Sequence, residues 1–152
     1  MRLTRQTNYA IRILMYCATN QGRLSRVTEI AQAYGVSELF LFKILQPLVE
    51  HGMVETVRGR NGGIRLAKAA NEITLLDVVR ETEENFSMAE CFETGSDCPL
   101  VNDCGLNAAL REALNAFFTV LSSYTIHDLV DNKPHMSALL GIENLTPRVL
   151  AS

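Results

Sequence analysis

Three of the four cysteines, Cys91, Cys98 and Cys104, fall within fourteen residues in a C-x6-C-x5-C pattern. Thiols so placed can cross-link, react or hold a metal. A lasting disulfide does not suit a reducing compartment, and three is an odd number. Structural zinc commonly takes cysteine pairs about two to four residues apart, closer than these gaps. A reactive thiolate wants a positive neighbourhood, whereas Glu90, Glu93, Asp97 and Asp103 interleave with these cysteines. A bound metal supplies the missing cation, and wide spacing on a loop suits an iron-sulfur cluster. On the residues alone a cluster, zinc or another metal, redox thiols and unrelated cysteines all remain open. Cys17 lies on an apolar helical stripe and reads as a buried small hydrophobe.

The segments around the cysteines must position them. Thr74 and Asp77 form a capping pattern ahead of Leu75, Leu76, Val78 and Val79, which predicts a short helix ending near Glu83. Residues 86–103 lack sustained periodicity and read as a loop. From Gly105 to about Ser122, Leu106, Ala109, Leu110, Ala113, Leu114, Phe117, Phe118 and Leu121 make a stripe too rich for so small a chain to cover. On periodicity alone an intramolecular core helix fits as well, but a winged helix reading two half-sites needs a partner, so the stripe reads as a seam for a second copy. A short segment from Thr125 to Val130 packs nearby. From about Asp131 onward, with Pro134 and Pro147, the pattern fades into a tail read as partly disordered.

Charge divides the chain near Lys68. The 152 residues carry a net charge of -3, but residues 1–68 hold ten Lys or Arg against four acids, giving +6, and residues 69–152 give -9. One half is built to meet a polyanion. Within it, a helix is expected from Thr4 to about Asn20, and a second from about Val27 to Tyr34, broken by Gly35. Ser37 then caps a third helix running toward His51. Pro47 inside that third helix predicts a kink or an early end. Two short β-type runs, Met53 to Val57 and Ile64 to Leu66, flank Arg58-Gly59-Arg60-Asn61-Gly62-Gly63, a hairpin with two arginines at its tip. Helix, turn, helix and hairpin make a winged helix-turn-helix: the third helix enters a major groove while the wing meets phosphates or a narrow minor groove. The DNA-facing candidates are Arg2, Thr4, Ser37, Glu38, Phe40, Lys43, Arg58, Arg60, Asn61 and Gly62, with Phe40 equally suited to packing inside.

Other classes fit poorly. The glycine-rich run lacks the Lys-Ser/Thr ending of a nucleotide phosphate loop, and His51, His127 and His135 sit in no catalytic motif, so an enzyme is not expected. A protein-interaction adapter would leave the basic half unexplained. No apolar run approaches a bilayer span, no secretory signal opens the chain, and 47% apolar content with a mean hydropathy of +0.07 suits a soluble protein, which places it in the cytoplasm without a membrane partner.

Met1-Arg2-Leu3-Thr4, Tyr34-Gly35-Val36-Ser37, Val57 to Gly63, and three cysteines ahead of a long helix together resemble the bacterial winged-helix iron-sulfur repressors of the IscR and NsrR type. The likeness covers residues 1 to about 132. The stretches Ser37 to Leu48, Met88 to Phe92 and Cys104 to Leu110 are most similar to its rhizobial iron-regulator branch. The resemblance implies a mainly α fold: a DNA-binding domain over residues 1–70, a cluster-binding loop and dimerisation helix over 71–132, and a tail over 133–152. It further implies a homodimer on a pseudo-palindromic DNA operator and a [4Fe-4S] cluster held by Cys91, Cys98 and Cys104, with a [2Fe-2S] form as a breakdown product. It implies repression of iron-uptake genes when iron is sufficient. A nitric-oxide or redox sensor with the same kind of centre is the alternative. Two departures stand out: Asn107 and Asn8 occupy positions where relatives carry a fourth ligand, His or Asp. A carboxylate such as Glu90, Glu93, Asp97 or Asp103, solvent or a small molecule would then complete the cluster weakly. The first loop is also one residue longer than the common spacing.

Overall fold

The computed structural model describes residues 2–100 and 102–142. Helix α1 (Arg5–Thr19) starts where the Thr4 hydroxyl accepts the N–H of Thr7, and buries Ala10, Ile13, Leu14, Tyr16 and Cys17 along one face. Helix α2 (Val27–Tyr34) opens with the Arg26 N–H donating to the Glu29 carboxylate at 3.1 Å. It closes at Gly35, whose φ of +65° is a left-handed turn that suits glycine. Helix α3 (Glu38–Glu50) is capped by Ser37, which accepts the N–H of Phe40, and turns Leu41, Ile44, Leu45 and Leu48 into the core.

Of the kink or early end expected at Pro47, the early end does not occur: α3 runs through it to Glu50. Proline removes one N–H and so orphans the carbonyl of Lys43. That residue is exposed and water can satisfy it, while Leu48, fully buried, pins the final turn.

Strands β1 (Val54–Val57) and β2 (Gly63–Leu66) pair antiparallel, Val54 opposite Leu66 and Val57 opposite Gly63. The hairpin is fastened to the helical body by a two-way bridge: Ser25 and Ile64 exchange both backbone hydrogen bonds at 2.8 Å. Met53, Val54 and Ile64 are its buried contribution.

Helix α4 (Leu75–Thr82) begins in the expected capping box, Thr74 with Asp77. A long helix α5 (Gly105–Ser123) follows the cysteine loop, and α6 (Ile126–Val130) returns beside the start of α4. There the Leu75 N–H donates to the Tyr124 carbonyl and the Ile126 N–H to the Ile73 carbonyl. Helix α1 is the hub, packing on α3, α4, α6 and β2, with Ile73, Val78 and Ile126 completing one core. Within the tail, α7 (Met136–Leu139) forms and Leu140 and Ile142 lie against that core; residues 143–152 lie outside the described residues.

Helix α5 rests on α4, and its Phe118 meets Phe86 of the loop after α4 edge-on at 4.9 Å, yet none of its 19 residues is buried. Leu106 is 64% exposed and Val120 55%. Among the described residues no helix is long and apolar enough to cross a membrane.

Candidate functional site

In the basic half the amino end of α1 meets α3, and α3 in turn borders the wing. Phe40 turns inward: it is half-buried, edge-on to Tyr9 at 5.3 Å, and the Arg5 guanidinium lies 4.7 Å from its ring centroid. Arg12 stacks over Tyr9 at 4.7 Å, and the Tyr34 hydroxyl donates to the Arg12 carbonyl. Burial pushes the Tyr34 phenol up to about 12, so that hydroxyl stays a donor. The side chains α3 leaves outside are Glu38, Leu39, Phe42, Lys43, Gln46, Val49 and Glu50, with Leu39 69% and Phe42 54% exposed. Between α3 and the wing opens a groove of about 700 Å³, lined by Arg26, Phe42, Gln46, Val49, Val57 and Arg58 among others.

Arg58, Arg60 and Asn61 are exposed at the wing tip, and Gly62 is half-buried beneath them. A Cβ on Gly62 would stand 2.2 Å from the Val57 carbonyl oxygen, and one on Gly63 2.6 Å from that of Ser25. The glycines therefore hold the turn tight and the wing close to α2, where Arg26 donates to the Arg60 carbonyl at 3.4 Å. Arg2 is exposed at the start of the chain. Thr4 is exposed but committed: its N–H and hydroxyl donate to one carboxylate oxygen of Glu83, at 2.7 and 3.1 Å.

The three loop cysteines are free thiols in different settings. Cys91 lies half-buried in a short 3-10 turn (Glu90–Phe92), Cys98 is exposed, and Cys104 is the residue preceding α5. Cys91 and Cys98 open on one shallow cavity that Glu90, Glu93 and Asp97 also line; Asp103 is not among its walls. Cys104 stands at the positive end of the α5 dipole, where a negatively charged group is best accommodated. Two contacts tie the loop to the first turns of α5: the Asn107 amide donates to the Cys91 carbonyl at 3.5 Å, and the Arg111 guanidinium lies 4.7 Å from the Phe92 ring centroid.

This donor set, three thiols with carboxylates beside two of them, fits a thiolate-bound metal group in its chemistry. The loop has not gathered them: among the described residues no three His, Cys, Asp or Glu side chains stand close enough to hold a metal ion. Nothing described between residues 80 and 125 is buried, so drawing the sulfurs together disturbs no core. Cys17 is of the other kind. Burial pushes its thiol up to about 12, and it packs as part of the core.

Residues 3–132 match the model of the Rrf2 family, described as iron-dependent transcriptional regulators. The chain belongs to the Rrf2 family. Among its Rrf2 relatives, Protein aau3 of Rhizobium meliloti is 70% identical over 144 residues, covering 94% of each chain. The HTH-type transcriptional regulator NsrR of Geobacillus kaustophilus is 46% identical over 92% of this chain and 97% of its own. The solved structure of CymR, the global cysteine regulator of B. subtilis, is 27% identical with a TM-score of 0.69, covering 86% of this chain and 96% of that one. An Rrf2 protein is a transcriptional regulator and not an enzyme, and the winged helix-turn-helix with its long second-half helix is the architecture it shares with such structures.

In this Rrf2 chain several site residues lie outside the sequence-based candidates. Leu39 on the free face of α3 is legible in principle, since it lies opposite Leu41, Ile44, Leu45 and Leu48 at helical spacing, whereas Phe42 lies to one side of that stripe and is not. Arg5 and Arg12, seven positions apart, share a face of α1 over the aromatic cluster. The Thr7–Glu83 contact has no local signal at all, because its partners are 76 residues apart.

Proposed function

We propose that this protein is an iron-responsive DNA-binding repressor of iron-uptake genes that senses iron through a labile [4Fe-4S] cluster on Cys91, Cys98 and Cys104. The observation that carries this reading is the mounting of the three thiols. They lie on an unburied loop joined by Asn107 and Arg111 to α5, a long helix with no buried residue, in a family of iron-dependent regulators. A cluster would supply the positive centre that three thiolates among carboxylates need. Glu90, Glu93 and Asp97 share the cavity of Cys91 and Cys98 and are the candidates for a weak further ligand. Asn107 already donates to the Cys91 carbonyl and accepts from Arg111 Nε at 2.7 Å.

The operator is double-stranded and pseudo-palindromic, bound by a homodimer whose seam is α5. Ser37, Glu38 and Lys43 on α3, Arg58, Arg60, Asn61 and Gly62 on the wing, and Arg2 meet the DNA, while Phe40 and Thr4 brace that face from behind. Successive major grooves lie about 34 Å apart, so a change at the seam alters the fit of two recognition helices. Gating requires a cluster that favours one dimer geometry over another.

Anaerobic purification with iron and sulfide analysis, and operator binding before and after chelation, tests the reading. About four iron and four sulfide per chain, with DNA released on chelation, support it; no sulfide and unchanged binding overturn it. The relatives named NsrR favour a second reading, a nitric-oxide or redox sensor with the same centre. Operator release at substoichiometric nitric oxide with slow release under chelation would select it.

A further inference from the structure

The recognition helix carries an unusual set of outward groups. Lys43 is its one cation, and it holds no Arg or Asn. The Gln46 amide is already bonded to the Glu50 carboxylate at 3.0 Å. Hydrogen-bonding readout by this helix is therefore left to Ser37 at its cap, Glu38, Lys43 and the rest of the Gln46 amide, without the bidentate arginine that most often reads guanine. The remaining groups on that face are large and apolar. Leu39 and Phe42, 69% and 54% exposed and three positions apart, stand side by side on the helix next to Lys43, whereas Phe40 is withdrawn against Tyr9. Apolar side chains left in water within the half of the chain that carries a net charge of +6 mark a contact that dries on binding. In a major groove the apolar group on offer is the C5-methyl of thymine.

We propose that Leu39 and Phe42 are specificity-determining residues that pack against thymine methyls, so that each operator half-site is defined chiefly by where its thymines stand. This rests on the regulator reading above and adds the chemistry of the base contact. The wing agrees with it. Arg58 and Arg60 project beside a groove-facing helix, and A·T-rich sequence narrows the minor groove and draws arginine in.

The test uses the full chain, purified anaerobically, to select binding sites from a pool of random-sequence duplexes. Each thymine of a selected half-site is then replaced by deoxyuridine, which removes the methyl and leaves base pairing intact. At one or more positions the uracil duplex is expected to bind roughly 3- to 5-fold more weakly. Phe42→Ala or Leu39→Ala should bind the thymine and uracil duplexes alike there, with an unchanged salt dependence. Both side chains are exposed, so truncation spares the core, and the circular dichroism melt of each variant checks this. The proposal is overturned if every uracil duplex binds like its parent, or if both variants still discriminate. Sequence-specific binding that survives such a result leaves the regulator reading standing and assigns the apolar face to another partner. Failure to select any sequence removes both.

Discussion

The hydroxyl of Thr7, fully buried, donates to the Glu83 carboxylate, and the same oxygen accepts the N–H and hydroxyl of Thr4. Glu83 caps α4 directly after its last residue, Thr82, where the chain leaves toward the cysteine loop, so one carboxylate clamps the entrance of that loop to the amino end of α1. Replacing Glu83 with Ala strips an acceptor from three donors, one of them buried, and should cost about 2 kcal/mol of stability. Thr7→Val, nearly the same shape, should cost about 1 kcal/mol. Urea unfolding reads both, and midpoints equal to the parent's would make the clamp energetically idle.

Gly62→Ala drives a methyl into the Val57 carbonyl, and backbone cannot swing aside as a side chain can. The hairpin turn should open, with a loss on the order of 2 kcal/mol and several-fold weaker DNA binding. Gly105→Ala is the matched control. Nothing lies within 4 Å of its Cβ, and alanine is the better helix former, so the thermal midpoint should hold or rise slightly.

Arg58 is exposed at the wing, and its removal should spare the fold. Arg58→Ala is expected to weaken operator binding and to flatten the plot of log affinity against log salt by about 0.9 for each phosphate that is no longer neutralised. Parental affinity and slope in that variant would take the wing out of the interface.

The four thiols should separate into two classes in the metal-free chain. A disulfide reagent at neutral pH is expected to titrate Cys91, Cys98 and Cys104 promptly and Cys17 only after denaturant is added, since burial keeps the Cys17 thiol protonated up to about 12. Four prompt thiols would show that the α1 face opens readily.

Asp128 gives the acid limb a local contribution. The Thr125 backbone N–H, then its hydroxyl, both at 2.8 Å, hold this carboxyl below its ordinary range. A depressed folded-state value stabilises the fold above the unfolded value, roughly pH 3.9, and that stability is lost as pH falls through the folded value. Asp128→Asn should therefore flatten urea midpoint against pH below about 4, leaving the curve above pH 6 parallel to the parent's.

What is legible in the sequence is what is local. The cap at Ser37, the left-handed Gly35, the Thr74 capping box and the glycine-rich hairpin each depend on residues within a few positions of one another, and all form as read. Phe40 and Phe42 cannot be told apart that way. Which of them faces out depends on how α3 is rotated against Tyr9, an aromatic on another helix. At Pro47 the local rule fails because it weighs a missing hydrogen bond without knowing that water reaches the orphaned carbonyl and that Leu48 anchors the turn beyond. The cysteine spacing names a chemistry, but spacing carries no information on whether the sulfurs stand together, and here the loop holds them apart.

A helix of 19 residues without one buried side chain takes little of its stability from its own protomer. In the proposed dimer the second copy that covers α5 also steadies it, so this helix, unlike α4 and α6 whose buried residues share the α1 core, has a stability set by mass action. Dilution alone should loosen α5 while the α1 core stays intact. The abundance of the protein in its cell thereby becomes a physical variable of the same standing as any ligand, able to change the shape of the regulator with no chemical signal present.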